Sequence, residues 1–166
     1  MMPRSLIKVV GAALIVLQWS TIAGADALTA GTAAFQRGDY IRAARQLLNP
    51  SLRGNARAEG LLGYMYTYGL GVPQSYPLAL ELLSRAAERG NPTAQQFLGL
   101  MYDKGLGVLP DYVIAYKWLN LAAAGASRRE REHYVRLRDA VASKLTPAQL
   151  AEGQWLAMSW VAGSRF

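Results

Sequence analysis

The chain has 166 residues, of which 52% are apolar and 17% charged, enough for one domain with a sizeable core. It has no cysteine, which excludes a disulfide framework, thiolate metal ligands, a thiol nucleophile and a lipid-modified N-terminal cysteine. Eighteen Lys and Arg against 11 Asp and Glu leave a net charge of +7, an excess too diffuse to argue for nucleic-acid binding and suited to an acidic partner or an anionic envelope.

The chain opens with Arg4 and Lys8, then the apolar run Val9 to Leu17, then a more polar segment ending Ala23-Gly24-Ala25-Asp26-Ala27. A basic start, a short apolar centre and an A-x-A end describe a secretory signal peptide. The apolar centre falls short of the roughly 20 residues a spanning helix needs. The expectation is a signal peptide over 1–25, cut after Ala25 or after Ala27, and a periplasmic or secreted chain. An uncleaved inner-membrane anchor is the alternative. Losing 1–25 leaves sixteen Lys and Arg against 11 acids, a net +5. No later apolar run is long enough to span a membrane.

Helices follow in order. Asp39 caps a helix over 39–49, and 27–37 is its partner; together they make a degenerate N-terminal capping unit over 26–53. Aligning 54–89 on 90–125 then gives 16 identities in 36 positions, the mark of stacked supersecondary units. Each unit reads as helix A, a glycine turn, helix B and a second turn. Helix A of the first unit spans about Ala56 to Thr67, with Ala58, Leu62, Met65 and Tyr66 on one buried face. Gly63 and Gly99 sit inside helix A, where glycine costs roughly 1 kcal/mol against alanine, so their recurrence predicts close helix–helix approach. Gly69 and Gly105 end the helix, and Gly71-Val72 and Gly107-Val108 turn the chain. Ser75 and Asp111 cap helix B, and Asn91-Pro92 starts the second unit, which runs over 90–126. Tyr40, Tyr76 and Tyr112 recur at the start of each helix B.

After Gly125 the identities stop. Ser127-Arg128-Arg129-Glu130 reads as a capping box opening a charged helix to about Lys144, with pairs such as Arg128–Glu132 and Glu132–Arg136. Thr146-Pro147-Ala148-Gln149 opens a last helix to about Val161. These two helices, within 127–166, cover the end of the stack. The fold class is all-α, a superhelix of about eight helices.

The residues that carry the repeat resemble the Sel1-like repeat family, a right-handed α-solenoid related to tetratricopeptide repeats. Ala56, Ala58, Leu62, Gly63, Tyr66, Gly69, Gly71 and Val72 match its first half-pattern, and Ala79, Ala86, Ala87 and Gly90 its second. In the next unit Ala94, Leu98, Gly99, Tyr102, Gly105, Gly107, Val108, Asp111, Ala115, Trp118, Ala122 and Ala123 match. Leu145 to Glu152 looks like the closing helix of short exported bacterial members. The resemblance implies an adaptor or scaffold for protein–protein contacts in the bacterial envelope. Relatives described as acting on β-lactams are Cys-rich, and that activity is not carried over to a chain without cysteine.

Chemistry is sparse. His133 is the only histidine and reads as a solvated surface residue. The Gly69-Leu70-Gly71 and Gly105-Leu106-Gly107 turns lie between helices, without the preceding strand a phosphate loop needs. Glu59, Glu81, Glu88, Asp103 and Asp111 are scattered, and no serine has a base in view. No enzyme, metal or cofactor is expected. The functional surface is expected on the side of helix A that the recurring residues leave free, which lines the concave face of a solenoid. Its candidates are Arg57, Tyr64 and Tyr68 in the first unit and Gln96, Leu100 and Lys104 in the second, binding a protein or peptide. The alternative is an envelope regulator or assembly factor that holds peptidoglycan or another anionic wall polymer, with the Arg-rich 127–144 segment as a docking face.

Overall fold

In the computed structural model, residues 26–160 are described; residues 1–25, where a signal peptide is expected, lie outside them. Among the described residues there are eight helices and no strand: α1 over 26–36, α2 Tyr40–Leu52, α3 Ala56–Tyr68, α4 Tyr76–Glu88, α5 Pro92–Lys104, α6 Tyr112–Gly125, α7 Arg131–Ala142 and α8 Pro147–Met158. None of these helices is long and apolar enough to cross a membrane.

The helix boundaries follow from short-range chemistry. Asp39, Asn55, Ser75, Asn91, Asp111 and Thr146 each accept a backbone N–H of the first turn on their side-chain oxygen, so one orphan donor per helix is satisfied. Thr146 and Gln149 complete a reciprocal capping box. At the other end, Gly69 and Gly105 adopt φ of +68° and +67°, and each donates its N–H to a carbonyl four residues back, Met65 and Met101.

The helices stack in two layers. α1, α3, α5 and α7 form one, and α2, α4 and α6 the other; from α2 to α7 each helix packs on its neighbours in sequence, α3 also touches α5, and α8 packs on α6. Ala58, Leu62 and Met65 join Ala34, Ala43 and Leu47 in one core cluster. Ala94, Leu98 and Met101 join Ala79, Leu83, Ala86 and Ala87 in the next. The recurring alanines and helix glycines do what their spacing predicts. A Cβ on Gly63 would lie 2.6 Å from Leu83 Cγ, and one on Gly99 2.8 Å from Leu119 Cγ. Gly31 holds the same relation to Leu47. The α1–α2 link is three residues, 37–39, where the α3–α4 link is seven, 69–75. That difference of four slides α1 out of the 36-residue register and hides its kinship.

Several expectations are corrected at the C-terminal side. α7 begins at Arg131, not at Arg128, because residues 128–130 form a turn. The Ser127 hydroxyl donates to the Glu130 carboxylate at 2.5 Å instead of accepting from its backbone N–H, so the capping box does not form. Arg128, outside the helix, therefore makes no pair with Glu132, whereas Arg136 does at 2.6 Å. The repeat also continues in space after its identities end. Tyr134 lies 36 residues after Leu98 and packs on Ala122, Ala123 and Ala126 as a helix A should. α7 is thus a fourth helix A after α1, α3 and α5, and α8 packs on α6 through Gly153, whose missing Cβ leaves room for the Tyr116 ring. α8 ends at Met158, earlier than expected.

One further contact recurs between units. Gly71 presses on the backbone of Tyr40 and Ile41, and Gly107 on the Cβ of Tyr76; a Cβ at Gly71 would lie 2.6 Å from the Ile41 nitrogen and one at Gly107 2.5 Å from the Tyr76 Cβ. Each G-x-G loop therefore seats on the tyrosine that opens helix B of the preceding unit. The equivalent Tyr112 meets no further loop, and the Lys144 ammonium lies 4.9 Å over its ring, tied by its other side to Asp103 at 2.5 Å.

Candidate functional site

Residues at i, i+4, i+7 and i+11 fall on one side of a helix, and in α3 that stripe is Arg57, Leu61, Tyr64 and Tyr68. The same positions of α5 are Thr93, Phe97, Leu100 and Lys104, and the series continues at Arg129 and His133. Because α1, α3, α5 and α7 share a layer, these stripes line up across it. Part of these stripes, with residues of α1 and α2, bounds an open groove of about 610 Å³ whose walls include Phe35, Tyr40, Leu61, Tyr64, Phe97 and His133.

Aromatic rings make its floor. Tyr64 stands at the centre, 5.5 Å from Phe35, 4.6 Å from Phe97 and 4.8 Å from Tyr68, measured between ring centroids. Edge-on and tilted pairs at such distances are favourable. Burial, and then the neighbouring Tyr40 and Tyr68, raise the Tyr64 phenol above its ordinary value, so it stays a neutral hydrogen-bond donor. Polar groups hold the α7 side. Gln96 Nε2 lies 3.3 Å from His133 Nε2. Tyr134 is buried, and burial is the main cause of its raised pKa; the Glu130 charge adds to it and the Thr93 hydroxyl opposes it.

Tyr64 and Gln96 thus line the groove, with Gln96 nearly buried. Arg57 lies in an adjoining hollow of about 160 Å³ that shares Phe35, Leu61 and Thr93 with the groove. Tyr68 is 47% exposed and packs on both Tyr64 and Phe97. Leu100 and Lys104 line neither hollow. Sequence reasoning missed Phe35, Leu61, Phe97 and Thr93, and it read His133 as surface alone. His133 is indeed exposed, but it stands in the groove wall at the position equivalent to Phe97. The stripe starting at Arg57 contained Leu61 and, one period on, Phe97 and His133; Phe35 is displaced by the shorter first link and had no such signal.

Behind the groove, Glu59 is fully buried and receives Arg85 and Arg89, each at 2.5 Å. The next unit carries Gln95 there, which donates to the Ala87 carbonyl at 3.1 Å. This is a structural ion cluster joining α3 to the end of α4, and none of its members lines the groove. Among the described residues no three His, Asp or Glu side chains converge as metal ligands.

The comparisons agree with this architecture. A family model for the Sel1 repeat matches residues 56–91 and 92–127. Among solved structures, a protective antigen present in uropathogenic Escherichia coli strains and displaying an SLR fold superposes with a TM-score of 0.73 and 26% identity over 82% of this chain and 29% of that one. A Sel1 repeat protein from Oxalobacter formigenes superposes with a TM-score of 0.56 and 30% identity over 69% of this chain and 53% of that one. The chain therefore spans about a third to a half of the length of these relatives. No curated protein matched it.

Proposed function

This is a Sel1-repeat chain, and we propose that it works as an exported, non-enzymatic adaptor that binds a protein or peptide in the concave groove. Sel1-repeat proteins generally mediate protein–protein interaction. The observation that carries the reading here is Tyr64, held between Phe35 and Phe97 at the floor of an open groove, with the half-exposed Tyr68 beside it. Tyrosines that are rigid, amphipathic and partly exposed are favoured interface anchors. The adaptor supplies shape and hydrogen-bonding groups, with no cofactor and no covalent step. The envelope assignment rests on the basic, apolar and small-residue order of residues 1–27.

The test uses the purified protein and its Tyr68→Ala variant as baits in envelope extract, at low and high salt, with bound species identified by mass spectrometry. A protein retained by wild type at high salt and lost by Tyr68→Ala, at unchanged helical circular dichroism, supports the adaptor. Recovery only at low salt, of wall fragments or many anionic species and equally by both baits, would replace it with charge-driven polymer binding. Localisation is checked by mass analysis of the mature N-terminus, which should begin at Asp26 or Leu28.

A further inference from the structure

If the groove binds a peptide, its two ends say more about which one. Most basic side chains on α4 and α7, and Lys144, already have acidic partners: Arg85 and Arg89 on Glu59, Arg136 on Glu132, Arg138 on Asp139, Lys144 on Asp103. Arg57 and Arg129 are exposed and form no ion pair with any described residue; other basic side chains, Arg128 and Arg131 among them, also form none, but only these two line the groove or its adjoining hollow. Both stand at the groove: Arg57 in the hollow at its α1–α3 end, Arg129 in the wall before α7. The one acid in that wall, Glu130, is engaged by the Ser127 hydroxyl at 2.5 Å and faces the Tyr134 phenol.

A second observation points to the Arg57 end. Thr32 lines the same hollow as Arg57, and its hydroxyl is the one buried side-chain polar atom without a hydrogen-bond partner among the described residues. That hydroxyl is closed off from solvent, so a carboxylate in the hollow meets the exposed Arg57 guanidinium and reaches Thr32 only where the hollow opens. Thr93 stands between the two arginines in register, and the aromatic floor of Tyr64 and Phe97, extended by Phe35, lies beside that line in the groove. From α3 to α7 is two helix-to-helix steps, which places the arginines on the order of 20 Å apart. An extended chain covers that in about six residues.

From this arrangement we infer that the groove is a site for an extended acidic peptide, with an aromatic side chain seated on the Phe35–Tyr64–Phe97 floor and a carboxylate on either side meeting Arg57 and Arg129. The inference rests on the groove-binding reading and adds the chemistry of the ligand. Charge-assisted hydrogen bonds to an arginine fork give the ends their selectivity, and the aromatic seat gives the centre its affinity.

The test is a selection of phage-displayed random peptides on the purified protein, followed by titration of one enriched synthetic peptide and its all-amide counterpart, Glu→Gln and Asp→Asn. The expected winners carry an aromatic residue with acids on both sides. The amide peptide should bind wild type at least about tenfold more weakly, and the Arg57→Gln/Arg129→Gln double variant should lose that discrimination. Both arginines are exposed, so the variant keeps its fold. Enrichment of neutral or basic aromatic peptides that need Tyr68 would overturn the acidic assignment and leave the groove reading intact. Enrichment of acidic peptides without an aromatic, released by salt, would overturn it in favour of a plain anion-binding surface. Discrimination that survives in the double variant would place the acid contacts elsewhere. No enrichment at all would remove both the inference and the groove reading.

Discussion

Replacing Gly63 by alanine tests how closely α3 and α4 are packed. The new Cβ would lie 2.6 Å from Leu83 Cγ, 2.9 Å from Cδ2 and 3.3 Å from the Leu83 backbone nitrogen. Carbon atoms rest about 3.5–4.0 Å apart, so the helices must part by roughly 1 Å or Leu83 must leave its rotamer. Leu83 is fully buried and has no free volume to enter. Overpacking of this kind costs about 1–3 kcal/mol. Alanine returns roughly 1 kcal/mol of helix propensity. With the neighbour this confined, the cost lies in the upper part of its range, and the net loss is about 1–2 kcal/mol. In urea unfolding followed by far-ultraviolet circular dichroism, that lowers the midpoint by about 0.5–1 M at a slope near 2 kcal/mol/M. Gly60, three residues earlier on the same helix, is the control. A Cβ there meets Asn91 Oδ1 at 3.3 Å and Ala94 Cβ at 3.5 Å, tight but not impossible. The propensity gain and the crowding of Asn91 roughly cancel, so Gly60→Ala should unfold near wild type. A Gly63→Ala protein as stable as wild type, or a Gly60→Ala protein equally damaged, would refute the close-approach argument.

The Glu59 cluster predicts an asymmetry. Arg85→Met with Arg89→Met leaves a fully buried carboxylate without cationic partners and should cost about 3–5 kcal/mol. Glu59→Gln leaves two arginines that are 37% and 41% exposed and can rehydrate, so its cost is about 1–2 kcal/mol by the same urea assay. A larger loss for Glu59→Gln than for the arginine pair would show that the carboxylate is better solvated than its burial implies. The tyrosines set the alkaline limit. Tyr64 and Tyr134 have folded-state pKa values raised above the ordinary 10.0, so the stability they contribute is complete below that pH and is lost as pH climbs through the folded values. The urea midpoint should fall above pH 10, and Tyr64→Phe with Tyr134→Phe should shallow that fall; an unchanged slope would mean that other groups carry it.

Much of this fold is written in residues that act locally. A side-chain cap needs only its own helix, and Asp39, Ser75, Asn91, Asp111 and Thr146 each cap where expected. The glycine-to-leucine contacts were legible because they repeat, so a cost paid twice had to have one cause. What resisted reading was tertiary. Glu59 finds Arg85 and Arg89 at separations of 26 and 30 residues, and nothing in the neighbourhood of any of the three signals the others. Ser127 and Glu130 have the right types for a capping box, yet the hydroxyl donates where a cap must accept. The groove was legible in outline, as the free side of helix A. Its aromatic floor is only half legible, because the mark of that side is difference between units and Leu61 and Phe97 are both apolar. Phe35 depends on a link four residues shorter than its counterparts, a difference that shifts which residues face one another without leaving any motif.

The seating of Gly71 on Tyr40 and of Gly107 on Tyr76 makes the number of units adjustable. A duplicated 90–125 segment spliced in after itself would bring its own glycine loop to Tyr112 and offer a fresh tyrosine to Lys144 in turn. Every surface such an insertion needs already exists in copy, and none has to be invented. Lengthening by whole periods would add one further rung to the concave wall while the two ends stay as they are. Reach along a ligand can therefore change by duplication alone, leaving the residues that choose the ligand free to diverge afterwards.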